Sequence, residues 1–277
     1  MWVYLNGHWV RKQNARISIF DEGFLSGVAV YETIRTVGTS FFAVFEHWQR
    51  LQHSAGQMKI PLPFDHRELE SILREGKKRN ALDQVLARIQ ISCGPHQPDI
   101  PASPTTFVHF KPLPVPPPGM FQTGVDAGFS PFRRKTTSLD SVVIKTISSP
   151  DVFLSRLYRP PELYDWILLN SEGFVAEGTF SNVFFLDGDK IVTPSLETGI
   201  LSGITRSQIL LLAREDGWEA QERLVQPWEL FQGREVFLTH TSMGPVPLRS
   251  LEAQPLVVSK GFARIRKRWE SFLATGK

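Results

Sequence analysis

The sequence predicts an α+β fold in two domains with mostly antiparallel strands, and three observations carry that expectation. A chain of 277 residues is long for one compact core and suits two. The run Pro112-Leu113-Pro114-Val115-Pro116-Pro117-Pro118-Gly119 can join neither a sheet centre nor a helix, and makes a stiff extended connector. It separates a small N-terminal domain, 1–111, from a larger C-terminal domain, 120–277, with 112–119 as linker. Strand-like and helix-like stretches mix without regular βαβ alternation, which argues against a doubly wound parallel sheet.

Each element has its own signal. Asn6-Gly7 between two short apolar stretches marks a hairpin over Trp2 to Val10. The apolar run Phe41 to Phe45 reads as a strand. Trp48, Leu51, Ala55 and Met58 fall at helical spacing within His47 to Met58. Asp65 with Glu68 three residues on forms a capping box for a helix reaching about Asn80. Gln84 to Ser92 and Thr105 to Lys111 read as strands, with Cys93 as a small buried hydrophobe in a strand. Beyond the linker, strands are expected at Gly124 to Phe129, Val142 to Lys145, Asp165 to Asn170, Asn182 to Leu186 and Glu235 to Thr239. Helices are expected at Thr205 to Arg214 and Lys260 to Leu273.

Composition excludes several classes. Apolar residues at 42% and charged residues at 21% are those of a globular chain rather than a disordered one. A formal charge of +3 does not mark a nucleic-acid binder. The basic runs Arg133-Arg134-Lys135, Lys77-Lys78-Arg79 and Arg264 to Arg268 read as solvated faces. One cysteine rules out a disulfide framework, and the seven histidines show no paired metal-ligand spacing, so no metal is expected. The first residues do not read as a signal peptide, no apolar run approaches a membrane span, and a cytoplasmic location is expected. No Gly-x-Gly-x-x-Gly, P-loop, Gly-x-Ser-x-Gly or His-Glu-x-x-His pattern is present.

Chemistry-bearing residues concentrate in EGTFSNVFFLDGDKIVTPSLETGILSGITR, from Glu177 to Arg206. A Glu, then Ser-Asn before an apolar-aromatic pair, then Thr-Pro, then Gly-x-Thr-Arg resembles the signature of the class IV aminotransferases. That family includes branched-chain aminotransferases, D-amino-acid aminotransferases and 4-amino-4-deoxychorismate lyases. Further matches run along the chain: Tyr4-Leu5-Asn6-Gly7, Phe20 to Thr36, His47-Trp48-Gln49-Arg50-Leu51, Ile144-Lys145-Thr146 and Leu238 to Pro247. The resemblance implies a fold-type-IV enzyme like D-amino-acid aminotransferase, holding pyridoxal 5′-phosphate between two domains, and a homodimer with no nucleic-acid or membrane partner.

The same resemblance implies the site residues. Lys145 is the Schiff-base lysine and catalytic proton carrier, helped by cations such as Arg133 or Arg134. Glu177 is the acid facing the ring nitrogen, followed by Ser181 and Asn182. Gly203, Ile204 and Thr205 at a helix start, with Arg50 and Thr241, form the phosphate cradle. Leu201 packs on the ring, and Tyr31, Phe180, Thr241 and Ser242 line the substrate side. Without the motif, Lys145 reads as a strand residue, Glu177 as a turn carboxylate, Thr205 as an N-cap, Arg50 as a surface helix residue and Tyr31 as core.

Departures from the pattern bear on substrate. Ser148 and Ser149 replace the family's Asn-Tyr, and Cys93 to Ile100 lacks the arginine of D-amino-acid enzymes, although His96 lies there. TPSLETGILSGITR and EVFLTHTSMGPVPL resemble aminodeoxychorismate lyases, so conversion of 4-amino-4-deoxychorismate to p-aminobenzoate and pyruvate is the favoured reaction. The alternative is a transaminase for branched-chain or other amino acids using 2-oxoglutarate. A remote rival is a non-catalytic binding protein using the basic C-terminal helix.

Overall fold

A computed structural model describes residues 1–95, 103–135 and 143–275. His96 and Val142 lie outside the described residues. Two compact units are present: Met1–Pro114 with Ile144–Ser148, and Val115–Val143 with Ser149–Lys277. The five residues around Lys145 thus belong to the first unit, whereas the linker-based division assigns them to the second.

The first unit contains β1 (Trp2–Leu5), β2 (His8–Arg11), α1 (Glu22–Leu25), β3 (Ala29–Val37), β4 (Ser40–Phe41), α2 (Val44–Gln57), α3 (His66–Arg79), β5 (Val85–Ser92) and β6 (Thr105–Pro112). Its sheet has the order β2-β1-β6-β5-β3-β4 and is antiparallel throughout. Period-2 burial in β3 sends Val30, Ile34 and their neighbours into a core with Leu51 and Ala55 of α2, Leu69 and Leu73 of α3, and Phe110 of β6. The Asp65 capping box is present, with Asp65 accepting from the backbone of Arg67 and Glu68 while the Glu68 side chain accepts from that of Asp65.

Three local readings differ from expectation. Phe41 to Phe45 is not a strand: Ala43 takes a left-handed conformation, φ 52°, and turns the end of β4 directly into α2. Composition could not separate that turn from a strand, because Phe41 and Val44 pack on the same core either way. Val143 to Lys145 forms no strand, and the stretch is tied to β3 by an isolated bridge, Val30–Thr146. Cys93 lies just past β5 and is half-buried.

The second unit contains α4 (Met120–Thr123), β7 (Val125–Arg133), α5 (Pro150–Tyr158), β8 (Asp165–Leu169), β9 (Val175–Gly178), β10 (Asn182–Asp187), β11 (Lys190–Pro194), α6 (Ile204–Glu215), β12 (Glu219–Arg223), β13 (Glu235–His240), β14 (Gly244–Leu251), β15 (Gln254–Pro255) and α7 (Lys260–Thr275). The strand order is β12-β11-β10-β13-β14-β7-β8-β9, with β15 paired to β14. Because β9 also pairs β10, six of these strands close into a ring, and the closing pair is Glu177 opposite Asn182. Ile167, Val183, Phe185, Leu238 and Leu248 form the core. Antiparallel pairings dominate, with parallel ones at β11–β12, β14–β7 and β7–β8. Among the described residues no helix is long and apolar enough to cross a membrane.

Candidate active site

In the first unit, the alternation that buries Val30 and Ile34 also buries Glu32, which is 0% exposed. A carboxylate on an apolar face needs partners, and α2 supplies two, one turn apart. Arg50 donates from Nε (2.6 Å) and Nη2 (2.9 Å), and His47 Nδ1 lies 2.7 Å from Oε2. Burial alone would raise the Glu32 carboxyl, but Arg50 and His47 outweigh it and hold it well below the usual carboxylate range. Burial, against the pull of Glu32, lowers His47, which leaves the imidazole neutral with Nδ1–H donating. His47 Nε2 is buried without a partner among the described residues. Arg50 is therefore not a surface helix residue.

A measurable consequence follows for Arg50→Ala. Removing one partner of a buried pair leaves an uncompensated charge, so denaturant unfolding should show a loss of about 3–5 kcal/mol. A loss below about 1 kcal/mol would mean that water or His47 already satisfies Glu32. Because the Glu32 carboxyl is depressed, its stabilising contribution is present above the ordinary carboxylate range and is lost as pH falls below it.

On the other face of β3, Tyr31 meets the lysine segment. The Tyr31 N–H donates to Lys145 C=O (3.0 Å), and the Lys145 N–H donates to Ser54 Oγ (3.1 Å). Thr146 Oγ1 and the Ile147 N–H both donate to Ala29 C=O. These bonds hold Lys145 Nζ 4.7 Å from the Tyr31 ring centroid, with the Arg88 guanidinium 3.9 Å from the same centroid. Ser148 donates its N–H to Thr146 Oγ1, whereas Ser149 precedes Pro150 and starts α5.

In the second unit, Glu177 is 7% exposed, which removes the turn-carboxylate reading. Its Oε1 accepts from Arg134 Nε (3.0 Å), and its Oε2 from the Leu201 N–H (3.0 Å) and Asn182 Nδ2 (3.4 Å). Arg134 Nη1 also donates to Asp151 Oδ2 at 2.9 Å. Burial opposes the Arg134 charge, but Glu177 and Asp151 together raise it. Arg134 is thus committed to two carboxylates. Asn182 Nδ2 further donates to Leu201 C=O, tying β10 to the loop before α6.

Buried Asp165 positions the 179–181 segment. It accepts from Ser181 Oγ (2.7 Å), Thr179 Oγ1 (2.7 Å) and the Thr179 and Trp166 N–H groups. Burial still pushes its carboxyl upward. α6 starts after Gly203, an N-cap without a side-chain cap, so Ile204 and Thr205 open the helix with no capping side chain. A Cβ at Gly203 would collide with Asn182 Oδ1, so glycine is required for the close approach.

Thr241 and Ser242 lie in the three-residue turn joining β13 to β14. Gly244, at φ 72°, closes the turn, and a side chain there would strike the Trp269 indole of α7. Arg266 donates to Met243 C=O (2.8 Å) and Pro245 C=O (3.1 Å). His240 Nδ1 is 2.9 Å from Ser242 Oγ, and Phe180, 39% exposed, stands edge-on to His240. Arg268 pairs with Glu215 and Asp216, and Arg264 with Asp216. Two arginines of the basic helix are therefore engaged by acids at the C-terminal end of α6 rather than forming an open basic face.

The first unit thus assembles Lys145 with Tyr31 and sets Arg50 on Glu32. The second assembles Glu177 with Asn182 and Leu201, Ser181 with Asp165, and Gly203 with Ile204 and Thr205. Sequence reading missed Ser54, Asp151, Asp165, Tyr164 and His240, and the pairing of Arg134 with Glu177 and Asp151. A buried-strand carboxylate preceding Trp166-Ile167-Leu168-Leu169 was the one legible signal for Asp165.

Residues 29–251 match the family model described as "Amino-transferase class IV". A Thermotoga maritima protein named "Probable branched-chain-amino-acid aminotransferase" is 38% identical over 253 residues, 91% of this chain and 87% of its own. A crystal structure of a Thermotoga maritima protein given a like assignment superposes with TM-score 0.86 at 33% identity, covering 99% of this chain and 96% of that one. The Bacillus subtilis "Aminodeoxychorismate lyase" is 29% identical over 261 residues, 90% of this chain and 86% of its own.

Proposed function

Because the chain belongs to the class IV aminotransferases, which use pyridoxal 5′-phosphate, we propose that it transaminates branched-chain or similar apolar amino acids with 2-oxoglutarate as acceptor. The observation that carries this is the stronger similarity to a branched-chain aminotransferase than to a lyase, over nearly the whole chain. The lyase reaction, favoured from sequence, gives way to its alternative. Phe180 and its aromatic neighbours supply an apolar surface suited to such side chains.

The residues present fit the cofactor. When bound, it supplies an electron-withdrawing ring that stabilises negative charge at the substrate carbon. Lys145 would hold it covalently and carry the proton to and from that carbon. Glu177 and Asp151 set two carboxyl groups against the single guanidinium of Arg134, an acid surplus that would hold a proton on the ring nitrogen. The uncapped start of α6 at Gly203, Ile204 and Thr205, with Arg50 and Thr241, would bind the phosphate. Asn182 and Ser181 would brace Glu177 and its loop, with Leu201 against the ring. Tyr31, Phe180, Thr241 and Ser242 would meet the substrate. A cytoplasmic homodimer completes the proposal, supported by exposed Ile19, Phe20, Phe24 and Leu25 on the first unit.

The test is direct. Cofactor-loaded protein is incubated with leucine, isoleucine and valine plus 2-oxoglutarate, and separately with aminodeoxychorismate. Glutamate formation without pyruvate release is the expected outcome. Pyruvate from aminodeoxychorismate exceeding glutamate from every amino acid would restore the lyase.

A further inference from the structure

Glu32 occupies a core position that an apolar side chain would suit. The alternation of β3 sends Val30, Glu32 and Ile34 to one face, and all three are 0% exposed. A buried ion pair is weak support for a fold, because apolar residues of similar volume in its place are often neutral or stabilising. The carboxylate therefore calls for a task other than stability, and its partners show which.

Glu32 grips Arg50 in a fork. Oε1 accepts from Nε (2.6 Å) and Oε2 from Nη2 (2.9 Å), so two parallel bonds fix the plane of the guanidinium as well as its place. The carboxylate is itself braced, since Oε2 also accepts from His47 Nδ1 (2.7 Å) and the Thr33 N–H (3.3 Å). Burial, aided by the Arg50 and Lys145 cations, lowers His47 against the pull of Glu32, so the imidazole adds a directed hydrogen and no charge.

The helix that carries Arg50 also holds the lysine segment. His47, Arg50 and Ser54 fall along one side of α2, which Leu51 and Ala55 anchor in the core. Ser54 Oγ accepts the Lys145 N–H (3.1 Å). One rigid element thus sets the guanidinium and the lysine backbone in a common frame.

In one respect the grip works against an anion. Glu32 sets one carboxylate against one guanidinium, so the pair offers a phosphate aimed N–H groups rather than surplus charge, and the carboxylate repels it. Aim has to outweigh that repulsion. A freely rotating arginine loses side-chain freedom when it meets a ligand, and one locked in advance does not.

We propose that Glu32, braced by His47, is a positioning residue that locks Arg50 in the orientation in which it takes the cofactor's phosphate. The inference rests on the cofactor arrangement proposed above and adds the residue that aims its arginine.

The whole chain is titrated with pyridoxal 5′-phosphate and with pyridoxal, which lacks the phosphate, and the ratio of the two affinities is read. A loosened fold weakens both ligands together, whereas a misaimed Arg50 weakens only the phosphorylated one. Glu32→Gln is expected to weaken pyridoxal 5′-phosphate about tenfold and to leave pyridoxal within about twofold. Arg50→Lys keeps the charge without the planar fork and should behave alike, which keeps the question decidable where Arg50→Ala is too unstable. Glu32→Gln combined with Arg50→Ala should bind no worse than Arg50→Ala alone, because Glu32 acts through the guanidinium. His47→Leu should weaken pyridoxal 5′-phosphate about threefold, and His47→Asn, whose Nδ2 stands in for Nδ1, should restore most of the loss. Tighter pyridoxal 5′-phosphate in Glu32→Gln would mean that the carboxylate only competes with the phosphate for Arg50, and would overturn the inference. So would an unchanged ratio in Glu32→Gln beside a lowered one in Arg50→Ala. An unchanged ratio in Arg50→Ala removes Arg50 from the phosphate cradle itself, which defeats the arrangement proposed above and keeps the two failures distinct.

Discussion

Lys145→Ala is expected to abolish transamination and covalent capture of the cofactor while leaving the first unit folded. The segment is held by its backbone: the Lys145 C=O accepts from Tyr31, the Lys145 N–H donates to Ser54, and Ala29 C=O takes Thr146 and Ile147. None of these bonds needs the lysine side chain, so the stability change should stay within about 0.5 kcal/mol. The chemistry has no such substitute. A positioned proton carrier alone is worth about 10²–10⁴ in rate, so turnover should fall by at least about 10³-fold once covalent attachment is lost as well. Borohydride reduction of the wild type, followed by peptide mass spectrometry, should place the pyridoxyl label on Lys145. A label on any other lysine would remove Lys145 from the site.

Glu177→Gln should keep the cofactor bound and slow turnover. Glutamine preserves the size and can still accept the Leu201 N–H, while Arg134 retains Asp151. What would disappear is the net negative charge proposed to hold a proton on the cofactor's ring nitrogen, and with it the ring's capacity to accept electrons. A fall in turnover of at least about tenfold is expected, equivalent to about 1.4 kcal/mol of barrier. Steady-state kinetics at full cofactor occupancy decide the matter, and unchanged turnover would reduce Glu177 to a structural partner of Arg134. Arg134→Lys probes the same group from the other side. A lysine cannot bridge Glu177 and Asp151 with two fixed N–H groups, so turnover should fall here too. Activity equal to wild type would show that the fork geometry is dispensable.

Local rules made much of this protein legible from sequence. The Asn6-Gly7 hairpin, the Asp65 capping box and the apolar stripes of α2, α6 and α7 depend on neighbours within a few residues, and those are written consecutively in the chain. The spacing from Glu177 to Arg206 likewise named the family, since a motif is local text. The partners of those residues were not legible, because each comes from a distant strand or helix. Arg134 lies inside a basic run in sequence but is turned by the fold onto Glu177 and Asp151, 43 and 17 positions away. Glu32 is one unremarked acid in the stretch from Phe20 to Thr36 until α2 brings His47 and Arg50 against it in a buried setting. Phe41 to Phe45 is apolar enough for a strand, and only the left-handed Ala43 decides for a turn and a helix. Sequence thus determined the hairpin, the capped and striped helices and the family, whose signals act over short range. Tertiary structure decided which charges meet, because burial makes an unpaired charge intolerable and the partner that satisfies it can come from anywhere along the chain.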